Sequence, residues 1–195
     1  MRTYQPLPEH RLSGAIFVAR PAPPKTVTPD SPALDVMTDL RHTHSALVEP
    51  DTTVDAAHAY MIQRGVRLLL VMTPERSLAG IITANDILGE KPLRFSQERR
   101  VKHSEIQVSD IMTPLDKLGA IRNADVLHAK VGEVIASLSA SGRQHTLVME
   151  TYGNGKTEIC GIFSLTQIER QMGQKIESSG VATTFAEIEA TLLSS

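Results

Sequence analysis

Residues 54–72, VDAAHAYMIQRGVRLLLVM, recur 77 residues later as residues 131–149, VGEVIASLSASGRQHTLVM. In both copies apolar residues repeat at helical spacing up to a glycine, Gly65 in the first copy and Gly142 in the second. A short aliphatic run follows and ends in Leu-Val-Met in both copies. Each copy therefore predicts an amphipathic helix followed by a buried strand.

Two shorter motifs flank this repeat in the same order. Asp-Val-Met-Thr at residues 35–38 recurs as Asp-Ile-Met-Thr at 110–113, and Gly-Ile-Ile-Thr at 80–83 recurs as Gly-Ile-Phe-Ser at 161–164. The offsets drift only from 75 to 81 residues, and the extra residues fall where a hairpin turn is expected. Three collinear matches indicate two copies of one structural unit.

Each copy is predicted to contain a strand, a helix, two strands and a second helix. The helical stripes are Val54, Ala57, His58 and Met61 in the first copy and Val131, Val134, Ile135 and Leu138 in the second. The paired strands are expected at residues 68–72, 78–82, 146–149 and 158–163, with turns at 73–77 and 152–155. A unit of about 60 residues has a small core, so the two units are expected to pack together as a pseudo-twofold α+β pair.

The rest of the chain is predicted to form connecting and terminal segments. Five prolines between residues 20 and 33 favour an extended connector, polar residues 90–105 favour a linker or solvated loop, and Thr-x-x-Glu at 184–187 favours a short C-terminal helix. The expected divisions are an N-terminal arm with the Pro-rich connector (1–33), a first unit (34–91), a linker (92–105), a second unit (106–173) and a tail helix (174–195).

Composition limits the classes of partner. Lys plus Arg number 20 against 22 Asp plus Glu, a net charge of −2, and aromatic residues make up 4%, so neither phosphate-driven nucleic-acid binding nor base stacking is favoured. The apolar run at residues 15–19 is far shorter than the about 18 residues of a membrane span. The single Cys160 cannot form an internal disulfide, which suits a cytoplasmic protein without a secretory address.

The most informative segment for chemistry is Gly-Ile-Ile-Thr-Ala-Asn-Asp, residues 80–86. Thr83 is expected to cap a helix with Asp86 at its third position, which is the pattern of a structural capping box. The same geometry would let free amides and the hydroxyl hold a phosphate while the carboxylate accepts from two ribose hydroxyls. The second copy has Ser164 and Gln167 here, which keep the cap and lose the carboxylate. A nucleotide site is therefore expected to be stronger at Asp86.

The repeated order of motifs resembles a tandem cystathionine-β-synthase (CBS) domain pair, or Bateman module, over about residues 34–173. The resemblance implies paired βαββα units, a ligand such as AMP, ADP or ATP, and a regulatory role. It also implies composite sites, in which the hydroxyl and carboxylate of one unit face the segment entering the central strand of the other. The implied first site is Thr83, Asp86, Gln144 and His145, and the weaker second site is Ser164, Gln167, Arg67 and Leu68.

Two departures from the family pattern bear on the second site. Gln167 replaces the family's Asp, and Leu70 stands where a Pro is common. The expected function is a module that senses an adenine nucleotide or adenosine derivative between its two units and signals by conformational or oligomeric change. A homodimer and an unidentified protein partner are expected, with no catalysis, metal, cofactor, nucleic acid or membrane partner. The alternative is a ligand-free dimerisation or scaffold module, and an enzyme with an unrecognised site is a third reading.

A few other residues could form sites, and each has a simpler interpretation. His42 and His44 would place two imidazoles on one face of a strand as metal ligands, but no third ligand is close in sequence. His58 lies on a helical stripe and is expected to be partly buried. The basic residues in 90–105 are expected to be solvated, with contact to ligand phosphates as the alternative. Cys160 is expected to be a small buried side chain.

Overall fold

The chain forms two four-stranded sheets with helices packed against them. The computed structural model describes residues 5, 7–11, 13–18 and 25–176. The strands are β1 (Thr38–Asp39), β2 (Leu47–Val48), β3 (Leu68–Met72), β4 (Leu78–Thr83), β5 (Thr113–Pro114), β6 (Ala120–Arg122), β7 (His145–Thr151) and β8 (Thr157–Ser164). The helices are α1 (Val54–Arg64), α2 (Ala84–Leu88), α3 (Lys91–Arg99), α4 (Val108–Ile111), α5 (Asn123–Val126), α6 (Val131–Ser141) and α7 (Leu165–Met172). The helix predicted from residue 184 onward lies outside the described residues.

The two sheets repeat one topology. One has the strand order β2-β3-β4-β5 and the other β1-β8-β7-β6. In the first sheet β2 runs parallel to β3, and β3 runs antiparallel to β4; in the second, β6, β7 and β8 are arranged in the same way. With α1 and α2 in the first copy and α6 and α7 in the second, each copy has the predicted order of strand, helix, two strands and helix. The α+β pseudo-twofold pair is confirmed.

The long helix of each copy is delimited by its sequence. The Thr53 hydroxyl caps α1 by accepting a hydrogen bond from the amide of Ala56 at 3.3 Å. Gly65 ends α1 with φ of 65°, and Gly142 ends α6 with φ of 61°, a left-handed conformation that favours glycine. The buried residues of these helices are Val54, Ala57 and Met61 in α1 and Val131, Val134 and Leu138 in α6.

The two units exchange their Asp-x-Met-Thr segments. Strand β1, from the first motif, pairs with β8 of the second copy, and β5, from the second motif, pairs with β4 of the first copy. The sulfur of Met37 lies 2.6 Å from where a Cβ on Gly161 would be, and that of Met112 lies 3.2 Å from the same position on Gly80. The glycine of each Gly-Ile motif thus makes room for the methionine of the other copy's motif.

Apolar packing joins the two sheets directly. Leu68, Leu70 and Ile81 of the first sheet form a buried cluster with Leu147 of the second. The four side chains are each less than a tenth exposed. Removing this much apolar surface from water stabilises the paired arrangement. The first halves of β3 and β7 therefore lie close to each other, and this contact positions the residues that precede both strands.

The predicted linker differs from expectation because it contains a helix. Residues 91–99 form α3, with Pro92 in its first turn, where its missing amide costs no helical hydrogen bond. Pro92 is buried, and Phe95 packs against the core of the first unit. Pro92 and Phe95 face the core while Leu93 is 62% exposed, so the apolar pattern is too sparse to show in the sequence as helical periodicity.

The described part of the Pro-rich connector packs against the second unit. Val27 and Ala33 are buried in its core. The first amides of α6 donate to this segment, from Val131 to the carbonyl of Ser31 at 2.9 Å and from Gly132 to that of Pro29 at 2.8 Å. These carbonyls satisfy helix amides that have no partner within the helix. The expected division boundaries themselves stay predictions.

Alanine at the two motif glycines is expected to have unequal effects. At Gly80 the added Cβ would overlap the backbone carbonyl oxygen of Thr113, whereas at Gly161 it would meet only the flexible side chain of Met37. We expect Gly80→Ala to lower the free energy of unfolding by about 2–3 kcal/mol and Gly161→Ala by less than about 1 kcal/mol. Urea unfolding followed by circular dichroism measures both. Equal losses would contradict the strand exchange as described.

Candidate functional site

A cleft between the two units brings together the residues of the predicted first site. Its volume is about 210 Å³, and Thr83, Asp86, Gln144 and His145 all line it. The first two come from the end of β4 and the start of α2, and the other two from the start of β7 and the residue before it. The first cleft is thus composite, with each unit supplying one wall.

Thr83 and Asp86 form the predicted capping box. The Thr83 hydroxyl accepts a hydrogen bond from the amide of Asp86 at 3.3 Å. In return, Asp86 Oδ2 accepts from the amide of Thr83 at 2.8 Å and from its hydroxyl at 2.6 Å. The geometry is that of a satisfied helix start, which fixes the direction in which the carboxylate faces the cleft.

The amides expected to be free at this helix start are largely occupied. The amide of Ala84 donates to the carbonyl of Arg67 at 2.9 Å, and the amide of Asp86 is used by the cap. Moreover, α2 has only five residues, so its dipole is small. The expectation that backbone amides of α2 hold a phosphate stays a prediction, and the two occupied amides leave most of the attraction for an anion to side chains.

Lys91 is a contact of the site that sequence reasoning missed. Its Nζ lies 2.6 Å from Asp86 Oδ1 and donates to the carbonyl of Ile111 at 3.2 Å. The Asp86 side chain is 13% exposed, whereas that of Lys91 is 48% exposed. No motif indicates this pair, because Lys91 begins a separate helix and reaches back across the turn after α2. Asp86 is thus charge-paired and not isolated.

Two arginines give the first cleft its positive charge. Arg67 donates to the side-chain carbonyl of Asn85 at 3.1 Å, and Arg143 donates to the backbone carbonyl of Lys117 at 2.8 Å. Within the described part of the chain, neither guanidinium has a carboxylate within salt-bridge distance. Arg143 was missed as a site residue, although its place between Gly142 and the strand entry could have suggested it. Guanidinium groups held only by neutral acceptors can bind a phosphate.

The basic residues of the linker lie elsewhere. Among the described residues that line the first cleft, none comes from the segment 90–105. Arg94 instead pairs with Glu90 at 3.7 Å on an exposed helix face. Arg94 therefore agrees with the expectation that the basic residues of this segment are solvated. Lys91 differs, because it contacts Asp86.

His145 is a neutral imidazole at neutral pH. Burial lowers its pKa to about 4, and the nearby positive charge of Arg67 acts in the same direction, whereas the Asp86 carboxylate opposes the shift. A neutral imidazole has one donor and one acceptor nitrogen. His145 can therefore bind a polar ligand edge without adding charge to the cleft.

The residues of the predicted second site line a separate cleft. Its volume is about 230 Å³, and Ser164, Gln167, Arg67 and Leu68 lie in its walls. Arg170 on α7 also lines it and was missed, because its spacing from the motif has no counterpart at the first site.

The cap expected at the second site is not formed. Ser164 stands at the start of α7 but makes no side-chain capping hydrogen bond. The side-chain carbonyl of Gln167 instead accepts a hydrogen bond from the Thr38 hydroxyl at 3.3 Å. The physical reason is the exchanged strand β1, which brings a better-placed donor to Gln167 than the local backbone.

The remaining candidates have ordinary surroundings. His42 and His44 are exposed, His58 is partly buried, and residues 25–176 hold no group of three or more side chains arranged to bind a metal ion. Cys160 is buried, and desolvation raises the pKa of its thiol. None of the helices in this range is long and apolar enough to cross a membrane.

Comparison with known proteins agrees with this architecture. The CBS domain family model matches residues 46–92. An uncharacterized conserved protein from Pyrococcus horikoshii superposes with a TM-score of 0.54 at 24% identity, covering 78% of this chain and 100% of that one. No curated protein matches the chain.

Two further solved structures carry the CBS name. CBSX2, solved in complex with AMP, superposes with a TM-score of 0.50 at 20% identity and covers 72% of this chain and 94% of its own. A CBS-domain-containing protein from Agrobacterium tumefaciens gives 0.51 at 16% identity, covering 70% and 90%. At these identities the likeness establishes the fold.

The low pKa of His145 predicts a specific dependence of stability on pH. Because the pKa is about 4 in the folded chain and about 6.5 when unfolded, the unfolded state binds more protons between these values. Stability is then fully present above about pH 6.5 and is lost as the pH falls towards 4. We expect this loss to be about 2 kcal/mol, allowing for partial exposure. His145→Leu, which installs the residue found at the equivalent position 68, should remove it in urea titrations at pH 7, 6, 5 and 4. An unchanged slope would contradict the assignment.

Proposed function

Since this chain is a tandem CBS-domain protein in fold, we propose that it senses an adenine nucleotide, AMP, ADP or ATP, in the first cleft and acts as a regulatory module. The observation that carries the proposal is the composition of that cleft. One carboxylate that is 13% exposed, Asp86, lines a cavity formed by both units together with two guanidinium groups, Arg67 and Arg143, that have no carboxylate partner among the residues that the structure describes. The AMP complex of CBSX2, a protein of similar fold, supports the same ligand class.

Each polar group suits one part of such a ligand. Arg67 and Arg143 would bind phosphate oxygens. Asp86 would accept from the ribose, but its Oδ2 already receives two hydrogen bonds from Thr83 and its Oδ1 receives one from Lys91. A carboxylate has about four acceptor positions, so one ribose hydroxyl fits directly, and a second requires Lys91 to move. Gln144 and His145 offer donors and acceptors to the base.

The size of the cleft connects binding to signalling. At about 210 Å³ it is smaller than the about 300 Å³ at which pockets for drug-sized ligands begin. A nucleotide would therefore hold the two units further apart or project from the opening between them. A ligand that binds one relative packing better shifts the population towards it. The output is a change in packing that the oligomer or a protein partner recognises.

A homodimer is part of this proposal. Ile62 on α1 is 69% exposed and Leu88 at the end of α2 is 64% exposed. Large apolar side chains on two neighbouring helices of one unit support self-association through that surface. We further propose a non-catalytic, cytoplasmic protein, with neither nucleic acid nor membrane as its partner.

One observation favours a second candidate, the ligand-free scaffold. The capping box and Lys91 together satisfy Asp86 without any ligand. In this reading Thr83 and Asp86 only start α2, and the cleft is a by-product of packing the two units. The two candidates make opposite predictions about nucleotide-induced stabilisation.

A thermal-shift panel with AMP, ADP and ATP tests the proposal. A ligand at about 100 times its Kd should stabilise the folded chain by about 2.7 kcal/mol. Asp86→Asn should remove most of this ligand effect, because an amide has one acceptor oxygen and no charge. The same variant should also lower the unliganded stability by about 1 kcal/mol, since it weakens the cap and the Lys91 pair.

The matched control is Asp110→Asn. Asp110 occupies the same position in the capping box of α4, where it accepts from the amide of Gln107 at 2.8 Å, but it is exposed and does not line the cleft. It should keep the full nucleotide effect. If the wild-type chain melts at the same temperature with and without all three nucleotides, the scaffold function is the correct one.

A further inference from the structure

Two side chains, Arg67 and His145, line both clefts. The repeat explains their position, because residues 67 and 68 correspond to residues 144 and 145 across the pseudo-twofold arrangement. The segments that enter β3 and β7 lie side by side. Arg67 from the first segment and His145 from the second therefore line both clefts. Where the first copy has Arg67 the second has Gln144, and one guanidinium thus serves two clefts.

The remaining charges divide between the clefts. Arg143 lines the first cleft and not the second, while Arg170 lines the second and not the first. Arg67 donates to Asn85, a residue that lines only the first cleft, at 3.1 Å. The shared guanidinium is therefore held on the side of the first cleft, and it must leave Asn85 to serve a ligand on the other side.

We propose that the two clefts are negatively coupled for phosphorylated nucleotides, so that a nucleotide in the first cleft weakens binding in the second about tenfold. The inference rests on the proposed function of the first cleft. One guanidinium cannot fully bind phosphates on both sides, and two phosphates beside one wall repel each other. A tenfold change in affinity is the expected cost of losing one charge-assisted contact, and it lies within the coupling that is typical of two linked sites.

His145 does not replace the shared arginine. Burial and the positive charge of Arg67 lower the pKa of His145 to about 4, and the Asp86 carboxylate opposes this shift. Arg143 lines only the first cleft and Arg170 only the second. The imidazole therefore stays neutral at neutral pH and adds no second positive charge. Among the residues that the structure describes, Arg67 is therefore the one positively charged side chain that lines both clefts.

Amide NMR spectra of the full chain can follow the two clefts separately. Gly142 lines the first cleft and its counterpart Gly65 lines the second. In titrations with AMP, the Gly142 signal should shift first, and the Gly65 signal should shift only at higher concentration. Adenosine, which has no phosphate, serves as the uncoupled probe.

Two variants that weaken the first cleft distinguish coupling from direct charge effects. Asp86→Asn removes a negative charge, and Arg143→Gln removes a positive one. The Gly65 midpoint is the AMP concentration at which half of the Gly65 signal shift has occurred. If the clefts are coupled, both variants should lower this concentration by about tenfold, because both leave the first cleft unoccupied. A direct electrostatic effect would move that midpoint in opposite directions. The adenosine midpoint at Gly65 should not move in either variant.

The outcomes separate the two proposals. Three results for the AMP concentration at half-shift of the Gly65 signal would overturn the coupling: no change in either variant, changes in opposite directions, or a half-shift that is never reached. A Gly142 response would still support nucleotide binding. If Gly142 does not respond to AMP in the wild-type chain, the proposed function fails and the coupling fails with it.

Discussion

The reciprocal exchange of two short strands is the constraint on which the rest of the structure depends. Each Asp-x-Met-Thr segment completes the sheet of the opposite copy, and its methionine occupies the space above a glycine there, Met37 at Gly161 and Met112 at Gly80. Neither unit therefore has a complete sheet without the other. The exchange and the apolar cluster between the sheets together hold the two units in the arrangement that forms the cleft.

Divergence of side chains on a repeated backbone makes the two clefts unequal. The backbone is the same in both copies: the carbonyl of Arg67 accepts from Ala84, and that of Gln144 accepts from Leu165, each at 2.9 Å. The side chains at matching positions differ, with Asp86 opposite Gln167 in the repeat. Both copies keep the backbone pattern that the fold needs. The proposed charged ligand also needs the carboxylate and the arginines of the first cleft. These side chains can therefore differ between the copies without changing the fold.

The sequence predicted the elements well where many residues carried one signal. Two long helices and two hairpins each rest on several periodic apolar residues, and the clefts bring together the residues carried over from the CBS resemblance. Failures came where one contact decides the outcome. Two-residue strands such as β1 have no periodicity, the helix α3 has few apolar residues, and the Lys91 contact depends on how two helices meet. The position of the Gln167 side chain has the same origin, since β1 supplies the donor that it uses in place of the capping contact.

The contacts that Asp86 already makes bear on how the proposed nucleotide would bind. Three of its about four acceptor positions are used before any ligand arrives, so a ribose gains one hydrogen bond or must displace a charged partner. Among residues 25–176 the guanidinium groups of Arg67 and Arg143 donate to neutral oxygens and have no carboxylate partner. A bound phosphate would supply the negative charge that pairs with them. AMP, ADP and ATP would share the ribose contact with Asp86, so discrimination among them in this cleft should depend on their phosphate groups.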